Sequence, residues 1–365
     1  MTTRTLGTIN RLVVKMGSRV VLSEAFDSLV DEIASLAGAG LDLAVVSSGA
    51  VAMGMECLGL DARPRTLSRV QALAALGQAE LIGRYNVRLL ESKRRCAQVL
   101  LTHESLSQRR HAMNIRHTLE DVLTLGLIPI VNENDSVATE ELRFGDNDRL
   151  AAAVGATLGA DLVVLLSDID ALYDADPKNV EGASVIREVT HIDEEIRSMA
   201  GSAGSVFGTG GMASKVAAAE FSVGAGIPLI VASGAEPKIL HRILDGERVG
   251  TYFSADAKVG RRRHWIRFLS KIKGSLCIDN GAVSALKERG SSLLAAGLIR
   301  AQGDFERGDA VRILDEEGLE VARGLSGYGS EDLSLIAGSR SEDVLKVLKI
   351  AAADPVVHRD DMVLT

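Results

Sequence analysis

Short apolar runs and longer stretches of helical periodicity alternate along the first two-thirds of the chain. Six of the runs predict buried strands, because several are continuously apolar, as strands covered on both faces are. These runs are Arg11–Met16, Leu43–Val46, Gln98–Leu101, Ile128–Val131, Leu162–Leu166 and Ile227–Val231. Helical patterns separate them around residues 23–37, 69–94, 111–125, 146–158 and 214–225. This alternation predicts an α/β fold in which helices sandwich a mostly parallel sheet.

The pattern changes after about residue 250. A basic stretch, Arg261–Arg263, precedes a series of short segments that predict a small, mainly-β domain. The segments are Ser275–Ile278, Leu293–Ala295, Ile299–Gln302 and Gly308–Leu314, with helices near 280–289 and over Ser341–Ala353. We therefore expect an α/β domain over residues 1–260, a linker over 261–273, and the mainly-β domain with a C-terminal tail over 274–365.

Composition and charge narrow the possible partners. The 365 residues carry a formal net charge of −8, which argues against nucleic acid or an anionic membrane as the main partner. The three cysteines, Cys57, Cys96 and Cys277, are odd in number and widely spaced, which fits neither a disulfide framework nor a zinc site. No signal-like apolar run opens the chain, and no stretch approaches about 18 apolar residues. We therefore expect a cytoplasmic protein.

Polar residues follow the predicted strands at the point where each strand ends. Because ligands bind at the carboxyl ends of the strands in open α/β sheets, these residues predict a binding site. Ser48 and Gly49 offer a hydroxyl and an N–H that suit a carboxylate, and Asp135 could pair with a substrate ammonium. Asp168, after the fifth strand, is placed to meet a nucleotide or a metal.

Two lysines predict a phosphate site at the same edge. The segment Gly208–Lys215 leads into a helical run, so its backbone N–H groups and the helix dipole favour an anion. The segment lacks the spacing of a P-loop. Lys15 closes an apolar strand, where a buried charge is costly unless it reaches a polar site. Two lysines that approach from opposite sides would stabilise the charge that develops in phosphoryl transfer.

Asp146, Asn147 and Asp148 open a predicted helix. Either Asp146 or Asn147 could cap that helix. Capping accounts for one residue of the group, so the remaining residues could orient the lysines or hold substrate.

Taken together, these motifs resemble the amino acid kinase family over nearly the whole chain. The resemblance rests on their order and spacing, and the C-terminal segment resembles a PUA domain through Arg289–Leu294 and Gly308–Val311. The motifs of the first domain are Val13–Ser18, Val46–Val51, Ile130–Asp135, Phe144–Asp148, Leu165–Asp168 and Gly208–Lys215.

The resemblance implies ATP-dependent phosphorylation of the side-chain carboxylate of L-glutamate, the first step of proline biosynthesis. It implies Mg²⁺ held mainly by the nucleotide phosphates, without a metal site of the protein's own. Lys15, Lys215 and Asp148 would be catalytic, with Asp148 organising the two lysines. The residues implied to contact ATP are Lys15, Ser167, Asp168, Thr209, Gly210, Gly211, Met212, Ala213, Ser214 and Lys215. Those implied or expected to bind glutamate are Ser48, Gly49, Asp135 and Asn147.

The resemblance also implies a homo-oligomer, specifically a tetramer, and functional coupling to glutamate-5-semialdehyde dehydrogenase. One alternative is another kinase of the family, acting on acetylglutamate, aspartate, carbamate or uridylate. An N-acylated substrate would leave Asp135 without a charged partner. A different alternative is an RNA-binding protein that acts through the PUA domain. Residues 274–365 contain ten Lys and Arg against sixteen Asp and Glu, and that net charge of −6 opposes RNA binding.

Overall fold

Buried parallel strands form the centre of the first unit, Met1–Lys258. The computed structural model describes residues 3–137, 147–175, 180, 182–202, 211–255, 272–348 and 354–364. The second unit is Val259–Thr365. The basic run Arg261–Arg263 and most of the predicted linker lie outside the described residues. The limits 1–260, 261–273 and 274–365 therefore stay a prediction.

Eight described strands of the first unit form one sheet in the order β3-β4-β2-β1-β5-β9-β10-β8. The first six in that order run parallel, whereas β10 is antiparallel to β9 and parallel to β8. The described strands of this unit are β1 (Arg11–Met16), β2 (Asp42–Ser47), β3 (Cys96–Leu101), β4 (Ile128–Glu133), β5 (Leu162–Ser167), β6 (Leu172–Tyr173), β7 (Val185–Ile186), β8 (Glu188–Val189), β9 (Leu229–Ser233) and β10 (Thr251–Phe253).

The six predicted strands are all present, and their ends differ by at most two residues from those predicted. Only β9 is displaced at both ends in the same direction. This strand starts at Leu229, two residues later than predicted. Ile227 still donates its backbone N–H to Ser222 at the end of the preceding helix, and Pro228 has no N–H to give to a neighbouring strand. The antiparallel β10 was not predicted, because three residues carry no clear alternation.

Helices cover the sheet and complete its core. They are α1 (Ser18–Val21), α2 (Ala25–Gly38), α3 (Ala50–Cys57), α4 (Leu67–Glu91), α5 (His103–Ser107), α6 (Arg109–Thr124), α7 (Asn147–Leu158), α8 (Glu194–Ser202), α9 (Met212–Gly224) and α10 (Ile239–Leu244). Phe26 of α2 and Tyr85 of α4 meet edge to face, with ring centroids 4.9 Å apart. Burial raises the pKa of Tyr85, and a hydrogen bond with Ser47 opposes that rise. No described helix combines the length and apolar character needed to cross a bilayer.

The second unit contains a five-stranded sheet in the order β12-β11-β13-β14-β15. Its strands are β11 (Ile272–Ile278), β12 (Leu298–Gly303), β13 (Ala310–Leu314), β14 (Glu320–Leu325) and β15 (Met362–Leu364), and its helices are α11 (Asn280–Arg289), α12 (Ser330–Ile336) and α13 (Ser341–Leu348). The short segment Leu293–Ala295 does not form a strand. Leu293 makes only an isolated bridge to Val357, and Ala295 begins a short 3-10 helix. The end of the helix predicted to Ala353 lies outside the described residues.

Two glycines allow α3 and α4 to pack backbone against backbone. A Cβ atom at Gly77 would lie 1.8 Å from the carbonyl oxygen of Ala50, and one at Gly54 would lie 2.0 Å from that of Leu73. Neither position can therefore carry a side chain unless the helices separate. This contact fixes the part of α4 that follows Gly77 close to the strand ends.

Gly77→Ala should lower the free energy of unfolding by about 3 kcal/mol, because the added methyl meets backbone that cannot rotate away. Urea unfolding measures the change. The matched control is Gly83→Ala on the same helix, where a Cβ would meet nothing within 4 Å. The control should be neutral or stabilising by up to about 1 kcal/mol, since alanine favours helix more than glycine does. Equal stability of Gly77→Ala and the parent protein would contradict the close contact.

Candidate active site

A buried carboxylate joins two buried lysines at one edge of the large sheet. Oδ1 of Asp148 lies 2.6 Å from Nζ of Lys15, and its Oδ2 lies 2.9 Å from Nζ of Lys215. The hydroxyl of Ser214 donates a third bond, 3.1 Å long, to Oδ2. We call Lys15, Asp148 and Lys215 the lysine cluster. Two ammonium groups and one carboxylate leave this cluster with a net charge of +1.

Each member of the lysine cluster comes from a different element. Lys15 lies one residue before the end of β1, Asp148 is in the first turn of α7, and Lys215 is in the first turn of α9. The N-terminal end of α7 favours an acidic residue through the helix dipole. All three residues are almost fully buried, at 4%, 0% and 1% exposure. Charges buried to this degree must be paired, which Asp148 achieves for both lysines.

Asn147 is held by a set of buried polar groups beside the cluster. Its Nδ2 donates to the carbonyl oxygen of Ser47 at 2.6 Å and to Oδ1 of Asn132 at 2.7 Å. Asn147 is the first residue of α7 rather than the residue before it, so the capping role considered for it is wrong. Asp146, the other candidate for the cap, lies outside the described residues.

The predicted carboxylate-binding and ammonium-binding residues follow β2 and β4, which are neighbours in the sheet. The backbone N–H of Ser48 donates to the carbonyl of Met16 at 3.0 Å, which ties the ends of β1 and β2 together. Gly49 adopts φ of 107°, a left-handed conformation that favours glycine, and α3 starts at the next residue. Asp135 is half-buried in the turn after β4. These residues share the sheet edge with the lysine cluster.

The residues predicted to contact the nucleotide do not all lie at the lysine cluster. Ser167 is buried at the end of β5, and its Oγ accepts the backbone N–H of Ile169 at 3.0 Å. Asp168 is half-exposed and pairs with the guanidinium of Arg19 on α1, so it is not part of the lysine cluster. Gly211 precedes α9, and Met212, Ala213, Ser214 and Lys215 form its first turn. Thr209 and Gly210 lie outside the described residues.

Three residues near the site were not singled out from the sequence: Arg19, Gln78 and Asn132. Asn132 falls within the motif Ile130–Asp135, but the sequence assigns it no role of its own. Gln78 carried a detectable signal, since it is a buried polar residue in an otherwise mainly apolar stripe of α4. That stripe is Val70, Leu73, Ala74, Gly77, Gln78, Leu81, Tyr85 and Leu89. Arg19 had no signal, because an exposed arginine on a short helix is common.

The fold agrees with the comparisons to known proteins. The Amino acid kinase family matches residues 10–233, and the PUA domain matches residues 274–348. The chain therefore belongs to the amino acid kinase family. It is 42% identical to the glutamate 5-kinase of Citrifermentans bemidjiense over 98% of both chains. It is 43% identical to that of Trichlorobacter lovleyi over 98% of this chain and 97% of the relative. The predicted fold class and the predicted PUA domain are confirmed.

Asp148→Asn should lower the free energy of unfolding by about 3–5 kcal/mol, because two buried ammonium groups lose their shared counter-charge. Chemical denaturation at neutral pH and constant salt tests this. Asp168→Asn is the matched control, since it removes a carboxylate from a half-exposed ion pair and should cost less than about 1 kcal/mol. An equal loss of unfolding free energy in the two variants would contradict the argument that the buried Asp148 carboxylate stabilises the fold more than a half-exposed one does.

Proposed function

We propose that this chain transfers the γ-phosphoryl group of ATP to the side-chain carboxylate of L-glutamate, forming L-glutamyl 5-phosphate in the cytoplasm. The lysine cluster carries this proposal, because it supplies buried positive charge at the sheet edge where ligands of such folds bind. Similarity to proteins named glutamate 5-kinase over nearly the whole chain supports the choice of substrate. The reaction would be the first step of proline biosynthesis.

The chemistry requires two anions to meet, not a base. A glutamate side chain with a pKa near 4.3 is already ionised at neutral pH, so no group has to remove a proton from it. The barrier then lies in bringing the carboxylate to the phosphate and stabilising charge on the transferred and leaving oxygens. Lys15 and Lys215 would supply that stabilisation, and Asp148 would fix both ammonium groups beforehand.

The residues fit a polyphosphate. The lysine cluster has a net positive charge, and the N-terminus of the 13-residue helix α9 adds backbone N–H groups beside Lys215. The described residues contain no group of three or more His, Cys, Asp or Glu that could hold a metal ion. Mg²⁺ held mainly by the phosphate oxygens of ATP would supply further neutralising charge.

The substrate is tested by measuring ADP release with ATP and Mg²⁺ against a panel of acceptors: L-glutamate, N-acetyl-L-glutamate, L-aspartate and carbamate. L-Glutamate should give a kcat/KM at least about a hundredfold above N-acetyl-L-glutamate and carbamate, because a site built for a charged group rejects an analogue that lacks it. L-Aspartate should also be at least about a hundredfold slower, because its side chain is one methylene too short to bring its carboxylate to the phosphate. Faster turnover of N-acetyl-L-glutamate would assign the chain to a different acceptor. It would also remove the role proposed for Asp135.

The proposed product favours a partner that consumes it. L-Glutamyl 5-phosphate is an acyl phosphate with a free amine on the same molecule, and attack by that amine would close a five-membered lactam, 5-oxoproline. We therefore propose functional coupling to glutamate-5-semialdehyde dehydrogenase. With isotopically labelled L-glutamate as substrate, adding the dehydrogenase and NADPH should lower the yield of labelled 5-oxoproline. An unchanged yield would contradict the proposed coupling. The tetramer implied by the family resemblance stays a prediction.

Lys15→Ala and Lys215→Ala should each lower kcat by about a hundredfold, with a much smaller change in KM for L-glutamate. The reason is that each ammonium interacts most strongly with charge that develops during transfer. Steady-state kinetics at saturating ATP measures both constants. Lys287→Ala, which removes an exposed lysine on α11, is the control and should leave both unchanged. A near-normal kcat in either cluster variant would remove that lysine from the proposed mechanism.

A further inference from the structure

A chain of buried side-chain amides connects helix α4 to the first residue of α7. Nδ2 of Asn132 donates to Oε1 of Gln78 at 2.7 Å, and Nδ2 of Asn147 donates to Oδ1 of Asn132 at 2.7 Å. We call Gln78, Asn132 and Asn147 the amide relay. All three residues are more than nine-tenths buried. The relay therefore works away from water, where its bonds are strong and unmade bonds are costly.

Two backbone groups at the ends of strands fix the direction of every amide in the relay. The N–H of Glu133 can only donate, and it donates to Oδ1 of Asn132 at 2.8 Å. The carbonyl of Ser47 can only accept, and it accepts from Nδ2 of Asn147 at 2.6 Å. Exchanging N and O in Asn132 or Asn147 would set donor against donor or acceptor against acceptor. Asn132 must therefore direct its Nδ2 towards Gln78, and Gln78 must accept that hydrogen bond with Oε1.

This fixed direction decides what Asn147 can offer to a ligand. Both N–H groups of its amide are used, one by Ser47 and one by Asn132. The amide oxygen, Oδ1, is the only polar atom of that side chain outside these two bonds. Asn147 is therefore set to accept a hydrogen bond from a ligand and not to donate one.

The amide of Gln78 is retained at a cost. Its Nε2 is buried and has no hydrogen-bond partner among the described residues. A buried donor without a partner is unfavourable, and an apolar side chain in this stripe of α4 would avoid the penalty. The feature of Gln78 that the relay uses is the acceptor Oε1, which holds Asn132 in its orientation.

We propose that Gln78 is a positioning residue that acts through Asn132 to make Asn147 present its amide oxygen to the ammonium group of the amino acid substrate. This inference rests on the proposed function. An ammonium carries three N–H donors, so it can bond both to Asn147 and to Asp135, which lies in the turn after β4. An N-acylated acceptor has one uncharged N–H in their place. The relay thus contributes to selection for a free amino group.

The test compares Gln78→Met, Gln78→Leu and Gln78→Glu in the full-length protein. Methionine and leucine remove the acceptor, whereas glutamate keeps an oxygen that can accept from Asn132. KM for L-glutamate should rise about tenfold in the methionine and leucine variants, the loss expected from one hydrogen bond. KM for ATP should stay within about twofold of the parent value. Gln78→Glu should restore KM for L-glutamate to within about threefold.

Leu81→Met, one turn further along α4 and also buried, is the matched control for repacking and should leave KM unchanged. Calorimetric titration with L-glutamate, without nucleotide, should show the same order of affinities, and thermal melting checks that each variant is folded.

An unchanged KM in Gln78→Met and Gln78→Leu would overturn the inference. An equal rise in all three Gln78 variants would also overturn it, because an acceptor oxygen kept at position 78 would then have no effect. A parent protein that does not turn over L-glutamate would refute the proposed function itself.

Discussion

The site depends on one constraint: a buried carboxylate must neutralise two buried ammonium groups at once. Asp148 meets it by giving one oxygen to Lys15 and the other to Lys215. Because these residues come from β1, α7 and α9, the carboxylate links the three elements. The lysine cluster thus both connects three secondary-structure elements and provides net positive charge. An anionic ligand that binds there adds the remaining counter-charge.

A second set of buried polar groups, the amide relay, supports the lysine cluster without carrying charge. The amide relay runs from α4 across the end of β4 to Asn147, the residue next to Asp148. Backbone groups of Ser47 and Glu133 set its polarity, so the strand ends determine the direction of the side chains. Charge and orientation are therefore supplied by different residues. In the proposed reaction, the lysine cluster would bind the phosphate groups, and the amide relay would orient the side chain that binds the acceptor.

The sequence was most informative where burial is continuous. Runs such as Leu162–Leu166 predict the parallel strands. Lys15 at a strand end and Lys215 at a helix start predict a phosphate site at one edge of the sheet. Short elements such as α5 and β10 were not predicted, because segments of five and three residues are too short to show helical or strand periodicity. The amide relay was not predicted either, because Gln78 and Asn132 are 54 positions apart in the sequence and only the fold brings them together. The pairing of Asp168 with Arg19, 149 positions apart, was missed for the same reason.

The glycine contact between α3 and α4 has a mechanical consequence. Backbone atoms meet there without side chains between them, so one helix cannot slide past the other without a collision. The two helices must then move as a rigid pair. At one end of this pair is the turn formed by Ser48 and Gly49, and in its middle is Gln78. Any displacement of one helix would therefore carry the other with it, and the Ser48–Gly49 turn and Gln78 would shift together.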